Sequence, residues 1–202
     1  MKRAFIFLAM LAGGVLFSIP FLWTISTALK SPEEIASDPT RLVPQVFAWD
    51  NFVKAWTALP FTTFVGNTIF LTLINTVAAV LTGSLVAYGF ARFDFRFKGF
   101  LFGTMLATMM LPGQVTMIPV FMIWRELRAI DTFYPLTIPA FFGGGAFNIF
   151  LLRQFFLSIP RELDEAAMID GAGFIRIWWR ILLPLSGPAL ATVAIFSFIG
   201  NW

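Results

Sequence analysis

The sequence EAAMIDG at residues 165–171 is followed by Ile181 and by Leu183-Pro184, and this segment lies between two long apolar runs. It carries charge and good helix formers in an otherwise hydrophobic chain. A charged, structured segment cannot face lipid, because the hydrocarbon offers its polar groups no hydrogen-bond partners. We therefore expect it to meet water or a partner protein outside the bilayer.

The composition is that of a membrane protein. Of the 202 residues, 58% are hydrophobic and only 12% are charged, whereas soluble domains are about a quarter charged. The chain has no histidine and no cysteine, which excludes His/Cys metal sites, a Ser-His triad and disulfides. The net charge of +3 comes from scattered bases and does not indicate nucleic-acid binding. We predict no catalytic residue, no metal site and no cofactor.

The apolar runs predict an all-α, polytopic transmembrane helical bundle with four complete spans and the start of a fifth. A spanning helix needs about 20 predominantly apolar residues. The predicted spans are 4–29, 65–90, 100–124 (broken at 111–114 and again at Pro119) and 135–156, followed by the run 188–202. That last run covers only about 22 Å at about 1.5 Å per residue, so we expect the sequence to be truncated at its C-terminal end.

The distribution of basic residues predicts a cytoplasmic N-terminus. Lys2 and Arg3 precede the first span, and a short connection at 92–98 holds three bases and a single acid. Basic residues accumulate in cytoplasmic loops. With this orientation, residues 165–171 lie in the cytoplasm.

Local signals predict a short helix in this charged segment. Ser158 is a candidate N-cap, with Pro160 in the first turn. Ala166 and Ala167 are expected to form one shallow face that another backbone can approach. Gly171 is suited to the left-handed conformation that ends many helices.

At these residues the sequence resembles the inner-membrane permease subunits of binding-protein-dependent ABC importers. The cytoplasmic loop of that family carries a Glu-Ala-Ala triplet, a glycine and an Ile-x-Leu-Pro ending. Here these are Glu165-Ala166-Ala167, Gly171 and Ile181-Leu182-Leu183-Pro184. Segments 111–115, 150–156 and 159–163 further resemble carbohydrate-type permeases, in the branch of the second permease subunit of the maltose importer. The family continues past residue 202, which agrees with the expected truncation.

The resemblance implies that the charged segment is a coupling helix, which docks in a groove of a cytoplasmic ATPase and performs no chemical step itself. Glu165 would pair with a basic residue of the ATPase. Ala166 and Ala167 would allow close packing, and Gly171 would set the turn. The residues assigned to this contact are Glu165, Ala166, Ala167, Asp170, Gly171, Ile181, Leu183 and Pro184.

The implied assembly contains ABC ATPase subunits, a second homologous permease subunit and an extracytoplasmic solute-binding protein, in the lipids of the inner membrane and without nucleic acid. Residues 1–64 would form an N-terminal transmembrane helix and an extracytoplasmic segment. Residues 65–202 would form the permease core, truncated at its C-terminus. The solute would be a sugar or a related compound.

Two of these residues have a second interpretation. Glu165 is also consistent with a solvated carboxylate paired with Arg161 one helical turn earlier, which contributes about 0.2–0.5 kcal/mol. Asp170 is also consistent with local capping of a helix end.

Four further residues are candidates for the translocation path: Pro112, Gly113, Gln114 and Asn148. The first three are interpreted either as a kink that lines the path or as an ordinary helix break, which membrane helices tolerate. Asn148, like Asn75, is equally open to a role in interhelical hydrogen bonding. The three glycines at 143–145 are expected to permit close helix packing or a break.

Two other functions fit the sequence less well than an importer permease. A self-contained secondary transporter or channel is expected to carry ion-coupling acids within its spans, and the apolar runs contain almost none. A membrane-embedded enzyme is disfavoured by the missing His and Cys and by the scarcity of buried acids.

Overall fold

A computed structural model describes residues 2–202, which contain helices and turns but no β-strand. The α-helices are α1 (Lys2–Ala28), α2 (Pro32–Ser37), α3 (Asp50–Ala58), α4 (Phe61–Arg92), α5 (Lys98–Thr108), α6 (Gly113–Glu126), α7 (Tyr134–Thr137), α8 (Ala146–Ser158), α9 (Glu162–Ile169), α10 (Phe174–Ile177), α11 (Leu183–Leu185) and α12 (Gly187–Asn201). A 3₁₀ turn (Ile138–Phe142) follows α7, and a π-helical turn (Trp178–Leu182) joins α10 to α11. The predicted all-α class is confirmed.

Three helical segments are long and apolar enough to cross a bilayer: α1, α4 and Tyr134–Ser158. Two bent pairs bring the count to five if each pair is one span. In the first, α5 and α6 meet at 102°; in the second, Phe174–Leu185 and α12 meet at 84°. The chain is thus polytopic, with between three and five spans by length and composition.

Two local predictions were wrong. Pro119 does not break a helix, because α6 runs through it, and membrane helices accommodate an internal proline. Ser158 does not cap the charged helix; it is the last residue of α8, and its hydroxyl donates to the Phe155 carbonyl at 2.6 Å. The residue before a proline is pushed out of the α region, and Ile159 is extended (φ −80°, ψ 128°), so the next helix starts only at Glu162.

The chain divides into two compact units, residues up to Val65 and Gly66–Trp202. In the first unit, the end of α1 is held by a side-chain amide. Asn51 donates to the carbonyls of Ala28 at 3.0 Å and Lys30 at 2.9 Å, two groups that lack partners at a helix C-terminus.

The second unit has a hydrophobic core that joins α4, α8 and the segment from α10 to α12. Its fully buried members include Ala87, Leu152, Phe156, Leu182 and Val193. The charged helix α9 is attached to this unit through the same core, because Ala167 packs against it.

A glycine turn lets the chain pass very close to α4. Gly143, Gly144 and Gly145 all have positive φ (94°, 64° and 105°), which glycine adopts at no steric cost. A Cβ atom on Gly144 would lie 2.3 Å from the Cβ of Ala79. Both expectations for these glycines are therefore confirmed, since the turn interrupts the helix and permits close packing.

Candidate functional site

Helix α9 is the charged segment that the sequence singles out. Its first turn contains Glu162, Asp164 and Glu165, whose carboxylates lie at the positive end of the helix dipole. Its C-terminal end is a Schellman motif: the Gly171 N–H donates to Met168 O at 3.0 Å, and the Ala172 N–H donates to Ala167 O at 2.9 Å. Gly171 has φ +80°, which confirms the predicted left-handed glycine.

Most of α9 is exposed, including its large apolar side chains. Ile169 is 88% exposed, and Leu163 and Met168 are exposed to 42% and 44%. Glu165, Ala166 and Asp170 are also exposed. Exposed large apolar side chains beside charges are typical of a protein contact surface. Ile169 was not among the predicted contact residues, although it lies in the predicted charged helix, directly before Asp170.

The two alanines do not form one exposed face. Ala166 is exposed, whereas Ala167 is half-buried against the hydrophobic core. Consecutive helical residues point about 100° apart, and in α9 the step from Ala166 to Ala167 passes from the exposed side to the side that packs on the core. Ala166 is the alanine that a partner can reach.

The carboxylate of Glu165 is not paired with Arg161 within residues 2–202. The Arg161 guanidinium instead contacts the Ala91 carbonyl through Nη2 at 3.5 Å. The interpretation of Glu165 as half of an intrahelical ion pair is therefore not supported by the geometry, and its charge faces outward.

The Ile-x-Leu-Pro ending lies at the junction of the π-helical turn and α11. Ile181 and Leu183 are half-buried and pack against the hydrophobic core, and Leu182 between them is fully buried. Pro184 is exposed. This ending therefore fixes the segment after α9 to the core, and Pro184 is the part of it that is accessible.

A buried ion pair ties α9 to the end of α4. The Arg92 Nε lies 2.7 Å from the Asp164 Oδ2, and the two side chains are 5% and 9% exposed. Burial raises the pKa of the Asp164 carboxyl above its ordinary value, and the guanidinium groups of Arg92 and Arg161 oppose that rise.

A cleft of about 120 Å³ beside the pair is lined by Tyr88, Arg92, Phe93, Arg161, Asp164, Glu165, Met168, Phe174 and Ile177. No local sequence signal links Arg92 to Asp164, so the pair was not predicted.

The candidate path residues lie in different surroundings. Pro112 precedes α6, and Gly113 and Gln114 begin it, all three exposed. Asn148 is buried, and its amide donates to Gly144 O at 2.7 Å within its own turn. That bond stabilises the glycine turn and is not interhelical. The predicted break at 111–114 is present between α5 and α6.

Asn75 makes the interhelical bonds that the sequence suggested. Its amide donates to Leu136 O at 2.9 Å and to the side-chain oxygen of Asn201 in α12 at 2.7 Å. These residues line a cavity of about 410 Å³ that also includes Ser197 and part of the glycine turn. Polar side chains from α4 and α12 therefore meet between apolar helices.

Apolar helices long enough to span a bilayer, together with a charged helix outside them, define a multi-pass membrane protein. Residues 79–202 match the family described as binding-protein-dependent transport system inner membrane component. The chain belongs to this family.

Similar proteins are permease proteins of transport systems. The chain is 32% identical over 188 residues to the diacetylchitobiose uptake system permease protein NgcG of Streptomyces coelicolor, covering 93% of this chain and 62% of that protein. It is 32% identical over 199 residues to the sn-glycerol-3-phosphate transport system permease protein UgpE of Yersinia enterocolitica, covering 96% and 70%.

A solved structure has the same fold. A chain of a bacterial ABC transporter involved in the import of the acidic polysaccharide alginate superposes with a TM-score of 0.86 at 28% identity. The match covers 99% of this chain and 71% of that chain. Across the relatives above, the present chain spans about two thirds of their length.

Proposed function

We propose that this chain is a permease subunit of an ATP-driven, binding-protein-dependent importer, and that α9 is the helix through which it contacts a cytoplasmic ATPase. The observation that carries the proposal is the exposed surface of α9. Ile169, 88% exposed, lies beside the exposed residues Glu165, Ala166 and Asp170 on a helix outside the apolar spans. Such a surface is costly to leave in water and suits a protein partner.

The proposed partners follow from family membership. They are two ATPase subunits, a second and homologous permease subunit that encloses the path with this chain, and an extracytoplasmic solute-binding protein. The N-terminus and α9 lie on the cytoplasmic side, in agreement with the bases at 92–98. The solute is a sugar or related compound, since the similar proteins belong to systems that transport diacetylchitobiose, sn-glycerol-3-phosphate and alginate.

The coupling residues have distinct roles in this proposal. Glu165 supplies charge to the contact, and Ala166 and Ile169 supply its apolar area. Gly171 turns the chain so that the next segment returns to the core, where Ile181 and Leu183 anchor it. Pro112–Gln114 and Asn148 remain proposals for the path, and the polar cavity at Asn75 and Asn201 is a further part of it.

The alternative is a secondary transporter that works without an ATPase. Within α1, α4, α8 and α12 there is no Asp or Glu to bind a coupling ion. Complete complexes reconstituted in proteoliposomes distinguish the two. We expect uptake of the bound solute to require both ATP and the ATPase subunits, and uptake without them, driven by an ion gradient, would refute the importer proposal.

A single introduced cysteine tests the exposed surface of α9. Because the chain has no native cysteine, Ile169→Cys gives it one thiol. We expect a membrane-impermeant maleimide to label this thiol in inside-out vesicles that lack the ATPase, and the assembled ATPase to prevent labelling by covering the side chain.

The control is Asp94→Cys, whose native carboxylate side chain is 83% exposed and lies in the connection after α4. This thiol should react equally with and without the ATPase. Equal reactivity of Ile169→Cys in both preparations would mean that α9 is not the covered surface.

A further inference from the structure

The C-terminal end of α4 is held by side chains from α8 and from the start of α9. The last carbonyls of a helix lack intrahelical partners and attract cationic groups. Arg153 in α8 donates through Nε to Phe90 O at 3.2 Å, and its guanidinium also lies 4.3 Å from the ring centre of Phe102. Arg161 contacts the next carbonyl, that of Ala91. Two arginines outside α4 thus cap its end.

Arg92, the last residue of α4, extends in the opposite direction. Its Nη2 donates to the Ile159 carbonyl at 3.0 Å, and its Nε pairs with Asp164 in α9 at 2.7 Å. The two helices are therefore joined reciprocally, by an α4 side chain that holds α9 and by an arginine beside α9 that holds α4. Both members of the central ion pair are almost completely buried.

The Arg92–Asp164 ion pair is not arranged to contribute much net stability. A buried ion pair offsets its desolvation only when the remaining polar atoms are hydrogen-bonded. The Asp164 Oδ1 is buried, and within residues 2–202 it has no hydrogen-bond partner. A pair of this kind adds little net stability, but separating its two charges would leave each of them buried and uncompensated, so it resists a change in the distance between α4 and α9.

We propose that Arg92 and Asp164 are positioning residues that transmit force, so that a displacement of α9 by the ATPase becomes a displacement of the spanning helix α4. This inference rests on the proposed function of α9. Helix α4 has 32 residues, and at about 1.5 Å per residue it is about 48 Å long. It carries Arg92 at one end and, further along, Ala79 against the glycine turn and Asn75 in the polar cavity. Movement of its end therefore reaches the proposed path.

The two chain connections of α9 are weaker as levers than the ion pair. On one side, α9 continues through Pro160 into α8, and on the other it ends at Gly171, whose φ of +80° marks a turn. A turn of this kind bends more easily than a helix. Besides the ion pair, α9 is held to the rest of the unit by the half-buried Ala167 and by the long contact of Arg161 with the Ala91 carbonyl. The charged pair is the attachment that joins α9 directly to the last residue of α4.

The test uses Asp164→Asn, which keeps the shape of the side chain and removes its charge. In the complete reconstituted complex we expect ATP hydrolysis to persist while the amount of solute imported per ATP falls about fivefold or more. The matched control is Asp94→Asn, the same change at an exposed carboxylate two residues after Arg92, which should retain the wild-type ratio. The exchanged pair Arg92→Asp/Asp164→Arg should recover at least part of the lost ratio.

A distance measurement separates transmission from mere stability. Spin labels at Val86→Cys in α4 and Glu162→Cys in α9, in complexes without other accessible cysteines, should give one narrow distance that stays constant between the ATP-free and ATP-bound states. In the Asp164→Asn background this distance should change with ATP.

The outcomes are distinct. A wild-type ratio in Asp164→Asn, or a lowered ratio with the Val86–Glu162 distance still constant, overturns the force-transmission inference. Failure of the proposed function is seen separately, because wild-type uptake would then be independent of the ATPase.

Discussion

Replacing Glu165 with lysine is expected to abolish ATP-driven uptake while leaving the chain inserted in the membrane. Glu165 is exposed on α9 and has no ion-pair partner within residues 2–202, so reversing its charge breaks no contact there. The local cost of a cation near a helix N-terminus is only about 0.3–1 kcal/mol. In the proposed contact the introduced lysine would face a basic residue of the ATPase, and like charges across an interface cost several kcal/mol. We therefore expect uptake to fall about 100-fold or more. Uptake and ATP hydrolysis are measured together in proteoliposomes.

The matched control is Asp94→Lys, which makes the same charge change at an exposed carboxylate in the connection after α4, outside α9. It should retain most of the uptake, because the exposed Asp94–Lys98 ion pair that it removes contributes little and no residue of the proposed contact lies there. If both variants lose uptake equally, the effect belongs to the net charge of the chain, and the specific role of Glu165 is wrong.

The second large effect is expected at Gly144, where an alanine should destabilise the unit formed by Gly66–Trp202. Its φ of +64° is unfavourable for any residue with a Cβ, and that Cβ would lie 2.3 Å from the Cβ of Ala79. Left-handed strain of about 1–2 kcal/mol and overpacking of about 1–3 kcal/mol add to a loss of about 2–5 kcal/mol in the free energy of unfolding. Denaturation of the purified complex in detergent measures this loss.

A second substitution, at Ala79, tests whether the overlap of the two Cβ atoms causes the loss of stability. Ala79→Gly removes the opposing Cβ, so the double variant Gly144→Ala/Ala79→Gly should regain the overpacking part and keep the backbone strain. Gly66→Ala is the control, because no atom lies within 4 Å of its added Cβ and its φ is ordinary. If Gly144→Ala is as stable as Gly66→Ala, close approach of the glycine turn to α4 does not limit stability.

Features determined by neighbouring residues were predicted from the sequence. Gly171 ends α9 in the left-handed conformation, since glycine alone adopts it without cost, and the break predicted at 111–114 overlaps the connection 109–112 between α5 and α6. Ser158 was assigned wrongly although the relevant signal was local. Pro160 forces Ile159 into an extended conformation, and this constraint outweighs the capping preference of serine.

Features determined by packing were not predictable from one sequence. The Glu-Ala-Ala triplet does not reveal that Ala167 turns towards the core while Ala166 stays exposed, because that choice depends on where α4 and α8 lie. The Arg92–Asp164 pair joins two segments far apart in the chain. Asn75 was open to an interhelical role, but its partner Asn201 is identified only by the fold.

Capture of the ATPase tests the contact at Glu165 without relying on transport: the solubilised permease complex is immobilised through this chain, and wild type, Glu165→Lys and Asp94→Lys are compared at equal amounts. We expect wild type and Asp94→Lys to retain the ATPase and Glu165→Lys to retain about a tenth as much or less. Equal capture by Glu165→Lys and wild type would contradict the claim that α9 binds the ATPase through Glu165.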